Sequence, residues 1–237
     1  MRLAIGDIEV AVVKKDIKNI HLAVYPPEGQ VRLAAPLEVG DETIRLFVIS
    51  KLGWIKKQQR KLAAQSRQSP RQYISRETHY FLGKRYLLKV EEASGSNKVS
   101  IKNRNTIILQ VKPTSTILQR KKLTEDWYRF ELKKVVTPLI EKWEKIIGVQ
   151  VEDWGVRQMK TKWGTCNIEA KKIWLNLELA KKPISCIEYI IVHELIHLLE
   201  RHHNDRFAAY MDTYMPQWKV YREELNRLPV SHVEWDY

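Results

Sequence analysis

Five residues, His193-Glu194-Leu195-Ile196-His197, constrain this 237-residue chain more than any others. In a helix advancing about 100° per residue the two histidines lie about 40° apart and one turn along, so both imidazoles leave the same face and can share one ion. Glu194 lies about 100° round, near enough to reach a water on that ion without ligating it. Ile184, Ile187, Ile191, Leu195 and Leu198 collect on the opposite face and predict a buried side that holds the imidazoles still. Ser185-Cys186-Ile187-Glu188 has capping-box spacing and predicts the start of the helix.

Composition makes this pattern specific. With 7 histidines in the chain, roughly 0.02 such matches are expected by chance, and a further histidine six residues on lowers that below roughly 0.001. Both His202 and His203 stand near that offset as third-ligand candidates. A continuous helix would swing either one away from the ion, so the helix is expected to end near Glu200 or Arg201. Asn204 then caps a new helix, Asp205 to Tyr214, with Phe207 and Met211 facing inward and Pro216 closing it. Three nitrogen ligands suit zinc and leave a fourth position for water, the hallmark of a catalytic rather than a structural site. The chemistry expected is hydrolysis of a peptide bond, with Glu194 as general base. Arg206, His202 and Tyr210 are candidates for stabilising the developing oxyanion, and the strand Ile173 to Leu179 is a candidate edge for pairing with an extended substrate.

The rest of the chain reads as α+β. Alternating runs around Ile8 to Val13, His21 to Tyr25 and Val31 to Ala34 suggest strands in a meander, with a turn at Pro26-Pro27-Glu28-Gly29. Asp41 to about Gln65 has helical spacing and ends in the basic run Lys56, Lys57, Arg60 and Lys61. Two hairpins come next, one turning at Gly83 and one across Asn103-Arg104-Asn105. Ile117 to Ile147 reads as a helix that Pro138 kinks or divides and Gly148 stops. Short strands are predicted at 149–159 and 173–179, and no internal repeat is visible. The texture changes near residue 113, which divides the chain into a strand-rich basic region, 1–112, and a helical domain, 113–237, with a small antiparallel sheet.

Residues 1–112 hold 21 basic and 10 acidic side chains, leaving 20 and 18 for the remainder of a chain whose net charge is +13. Such a field draws in nucleic acid, an acidic partner or an anionic membrane surface without specifying which. Two cysteines, Cys166 and Cys186, argue for a reducing cytoplasm over a disulfide scaffold. No apolar run is long enough to span a membrane, and the oligomeric state is not encoded in any motif.

HELIHLLERHHNDRF, preceded by WGTC and IWLNLELA, resembles the YgjP-like metallopeptidases, zincins whose pattern runs Trp-Gly-Ser/Thr-Cys, a strand with Leu-Asn, HELxH, a histidine six further on and then Phe. The resemblance implies zinc on His193, His197 and His203, catalytic Glu194, and supporting roles for Trp163, Gly164, Cys166 and Asn176. It extends loosely to the front half, where Trp54-Ile55-Lys56-Lys57 matches a family segment. The aromatic usual after Phe207 is Ala208 here. Two other readings stand beside the peptidase: a non-catalytic zinc-bearing module that binds nucleic acid or protein, and a protease recruited to DNA-bound proteins, similar in outline to SprT-like zincins.

Overall fold

A computed structural model describes residues 1–25, 28–64, 71–159 and 162–228. Pro26, Pro27 and Gln65, which the turn and helix readings included, lie outside the described residues. The chain divides into two compact units between residues 68 and 69.

The first unit runs β1 (Arg2–Ile5), β2 (Ile8–Lys15), β3 (His21–Tyr25), β4 (Gln30–Pro36), α1 (Asp41–Ser50) and α2 (Leu52–Ala64). Its sheet has the order β1-β2-β4-β3, with β2 and β4 parallel and the outer pairs antiparallel, so the expected meander is replaced by a crossover. Alternation sets which face of a strand is buried, but it does not choose the neighbour. One face is apolar: Ile8, Val10 and Val12 of β2 and Val31, Leu33 and Ala35 of β4 pack under Ile44, Val48 and Ile55 of the helices. The helical stretch from Asp41 is two helices, because Lys51 leaves the helical backbone.

The second unit opens with β5 (Thr78–Phe81), β6 (Lys84–Glu92), β7 (Lys98–Lys102) and β8 (Thr106–Val111), in the order β5-β6-β8-β7. Both expected hairpins form, and β6 and β8 run parallel. This is the strand plan of the first sheet again, a repeat of topology that the sequence does not display. The β5–β6 turn docks on a later segment: Leu82 and Gly83 donate backbone N–H groups to the carbonyls of Ala180 and Lys181 at 2.9 and 3.3 Å. A side chain at Gly83 would strike Pro183.

α3 (Ile117–Ile147) has the predicted limits. Thr116 and Gln119 form a capping box at its start, and Gly148 closes it at φ 76. Pro138 is accommodated on the exposed side without ending the helix. Thr124, Tyr128, Leu132, Val136, Ile140, Trp143 and Ile147 form a buried stripe that shares one core with Leu88, Leu109 and Val111 of the sheet. That shared core overrules the division at 112/113, which falls inside the second unit. Divided at the units, residues 1–68 carry 12 basic and 7 acidic side chains, a net of +5, and 69–237 carry 29 and 21, a net of +8.

A third sheet is built from β9 (Asp153–Arg157), β10 (Gly164–Asn167) and β11 (Lys172–Asn176) in the order β10-β11-β9. It is mixed, not antiparallel as expected, since β11 pairs antiparallel with β10 and parallel with β9. β11 is therefore the central strand, and it stops at Asn176 where a 3-10 turn, Leu177–Lys181, begins. α4 (Ile184–Ile196), α5 (Asp205–Tyr214) and α6 (Trp218–Arg227) complete the unit.

Candidate metal centre

α4 is buried nearly all round, from Cys186 and Ile187 to Leu195 and Ile196, as expected of a helix at the middle of a core rather than at its surface. Ile184 is the exception to the predicted apolar face, at 47% exposure. The capping box at Ser185 does not form. Pro183 is the N-cap and makes no side-chain cap bond, while Glu188 is taken by Trp143 Nε1 and Lys142 Nζ of α3, at 2.8 and 2.7 Å. The helix ends at Ile196, earlier than Glu200, with His197 as its C-cap. Leu198 and Leu199 then donate to the carbonyls of Leu195 and Ile196 in tight turns. Asn204 accepts from Phe207 N at 3.0 Å and starts α5 where the sequence placed it.

This early end returns the chain to the helix face. His193, His197 and His203 each offer a ring nitrogen, and these atoms lie within 4.8 Å of one another. His193 Nε2 and His203 Nε2 are 2.9 Å apart. His197 Nδ1 donates to the Glu200 carbonyl at 3.1 Å, which fixes the ring and turns its other nitrogen inward. The ring of Phe207 packs against all three imidazoles at 4.8 to 4.9 Å between centroids. His202 is not in the group; it is exposed, and its backbone N–H bonds the Glu200 side chain.

Burial lowers the basicity of all three imidazoles, His193 most, to about 3. Neutral rings keep the lone pairs a metal needs. His193 Nδ1 is buried with no hydrogen-bond partner among the described residues. The donor set therefore fits a borderline divalent cation, with nitrogen ligands and no carboxylate or thiolate among them.

Glu194 is 4% exposed, and burial raises its carboxyl to about 8. Its carboxylate lies directly on Gly164 of β10, where a Cβ would come within 2.5 Å of Oε1 and 2.7 Å of Cγ. Only glycine leaves room for the carboxylate in that position. Asn176 organises the approach to Gly164: its Nδ2 donates to the Met159 and Lys162 carbonyls at 2.9 and 2.7 Å, and its backbone N–H to that of Trp163 at 2.9 Å. Its Oδ1 caps the 3-10 turn through Glu178 N. Trp163 lies under the ammonium of Lys182, 5.3 Å from the ring centre. Lys182 is buried, which lowers it to about 8.

Cys166 is half-buried on β10 and is no part of the histidine cluster. Burial, and then the charge of Glu194, push its thiol up to about 11. Arg206 and Tyr210 bond each other at 3.2 Å, with Arg206 exposed. Met211 and Met215 are buried in the core. Sequence reasoning missed the Glu200 carbonyl and the Lys182 cation, because a backbone acceptor and a buried lysine carry no motif. It also missed that β10, not β11, is the edge of the sheet beside Glu194.

A family model described as YgjP-like, metallopeptidase domain, matches residues 18–228. No curated protein matches significantly. Among solved structures, the metallopeptidase zymogen of Pyrococcus abyssi abylysin is 23% identical with a TM-score of 0.36, covering 40% of this chain and 99% of that one. The metallopeptidase zymogen of Methanocaldococcus jannaschii jannalysin is 18% identical with a TM-score of 0.34, covering 38% of this chain and 92% of that one. Both likenesses are too loose to bear on the site.

Proposed function

The chain belongs to the YgjP-like metallopeptidase family, and we propose that it hydrolyses peptide bonds with a zinc ion held by His193, His197 and His203. The observation that carries this reading is the convergence of three imidazole nitrogens within 4.8 Å, next in sequence to a buried carboxylate, Glu194, that is not one of that group. When bound, the ion would supply Lewis acidity, polarising the scissile carbonyl and bringing the pKa of a water down toward about 7.

The chain's own residues do the rest. Glu194 accepts a proton from the attacking water on its carboxylate and delivers it to the departing amine. Gly164, by yielding its Cβ space, and Asn176, by holding the carbonyls of Met159, Lys162 and Trp163, keep that carboxylate in place. Phe207 closes the apolar side of the imidazoles and excludes water there. An extended peptide would add to the edge of β10 that is unpaired among the described residues, since both edges of β11 are occupied.

Cys166 and Cys186 are free thiols, which suits a reducing compartment such as the cytoplasm. Among the described residues no helix is long and apolar enough to cross a membrane. Basic charge is shared between the two units, so no field peculiar to the front half singles out nucleic acid as a partner.

The test is Glu194→Gln, which keeps shape and hydrogen-bonding reach but cannot take a proton. Metal content should be unchanged and hydrolysis should fall by about 10²- to 10⁴-fold. Unchanged turnover with metal retained would contradict the mechanism and favour a non-catalytic metal-bearing module. Metal loss would make Glu194 a ligand.

A further inference from the structure

The peptidase reading makes no use of the first unit. Both α1 and α2 cover the same face of the sheet, through Ile44, Val48 and Ile55, so their opposite faces form one outward layer. Three large apolar side chains stand on it: Leu46 at 58% exposure, Ile49 at 42% and Trp54 at 43%. Exposed apolar residues scattered singly are ordinary, but helical spacing puts Leu46 and Ile49 about 60° apart on one face of α1, and Trp54 stands on the flank of the next helix, about 100° from buried Ile55.

The same layer is cationic. Lys51 between the helices and Lys57 and Arg60 on α2 are exposed, and α2 has no acidic residue in its sequence LGWIKKQQRKLAA. Asp7 pairs with Lys56 at 3.0 Å and Asp41 with Lys14 at 2.8 Å, which leaves two exposed carboxylates close by: Glu42, one helical turn before Leu46 on α1, and Glu28, next to the Gly29 whose carbonyl accepts from Gln59 of α2. The apolar stripe of α2 is committed to the core through Ile55, so the helix is held as a rigid platform with its basic side outward.

Two kinds of polyanion fit such charge. A nucleic-acid backbone would take the lysines and the arginine but gives Leu46 and Ile49 nothing to contact. A lipid surface takes both, the cations at its phosphates and the apolar groups among its headgroups, where tryptophan is at home. We propose that the outward layer of α1 and α2 is a docking surface for an anionic lipid bilayer, with Trp54, Leu46 and Ile49 entering the headgroup region and Lys51, Lys57 and Arg60 meeting lipid phosphates.

The full chain is to be sedimented with vesicles of phosphatidylcholine alone and of phosphatidylcholine with one-third phosphatidylglycerol. Binding should require the anionic lipid and weaken with salt. Each basic residue near such a surface is worth about fivefold in partitioning, so Lys57→Glu with Arg60→Glu should lose more than about 20-fold. Trp54→Ala should lose several-fold without changing the salt dependence. A control reversal on the second sheet, Lys98→Glu with Lys102→Glu, should cost little; both residues are exposed, and circular dichroism checks that each variant folds. Equal loss in the control, or equal binding to neutral vesicles, would overturn the proposal. So would binding of a duplex oligonucleotide tighter than of vesicles and lost in Lys57→Glu/Arg60→Glu, which would assign the surface to nucleic acid.

Discussion

The first and second sheets share one strand plan, with an antiparallel pair at each edge and a parallel pair in the centre. They differ in the helices that cover them. In the first unit two helices of 10 and 13 residues cover the sheet and complete a small core of their own. In the second a helix of 31 residues covers the sheet and runs on to pack against α4, so the sheet and the histidine helix share one core. The strand plan therefore does not carry the chemistry. The covering helix bears on the candidate centre instead, because Trp143 and Lys142 of α3 bond Glu188 on the same helix as His193 and Glu194.

The sharpest way to break this comparison is to damage each core equally. Leu132 of α3 and Leu33 of β4 are both fully buried, and truncation to alanine should cost about 2 to 5 kcal/mol at either site, read by denaturant unfolding. Only Leu132→Ala should also reduce metal affinity. If Leu33→Ala reduces it as much, the two cores are not independent in function.

A smaller loss is expected within the second unit from Gly164→Ala. The added methyl must move the Glu194 carboxylate, and a displacement of about 1 Å costs on the order of 10²-fold in rate. Metal content should hold. Wild-type turnover in that variant would show that Gly164 does not position the base.

The smallest effect tests which helix carries the capping box. Thr116→Ala should destabilise by about 0.5 to 2 kcal/mol, and Ser185→Ala by less than about 0.5 kcal/mol, both measured by thermal unfolding. The reverse order would restore the cap that the sequence spacing indicated.

Range along the chain separates the features that were legible in the sequence from those that were not. The limits of α3, the Asn204 cap and the histidine spacing are set within one or two helical turns, and the structure reproduces them. The Ser185 box obeyed the same local rule and failed because Glu188 found Trp143 and Lys142, residues 45 and 46 positions away. Strand neighbours are longer-range still: β2 beside β4, β6 beside β8 and β11 between β10 and β9 depend on crossovers that alternation does not encode. The boundary at 112/113 followed composition, whereas the core followed packing between β8 and α3. Glu194 was legible as the proposed base, but the glycine thirty residues earlier on which its carboxylate lies needed the fold.

The proposed chemistry depends on a metal held by three histidines, and metal content of the purified full chain tests it most directly. The parent protein should bind one zinc equivalent. His203→Ala should lose most of it and His202→Ala should keep it, because His203 lies within ligand distance of His193 and His197 while His202 bonds Glu200. Retention in His203→Ala, or equal loss in both variants, would contradict the assignment of the centre.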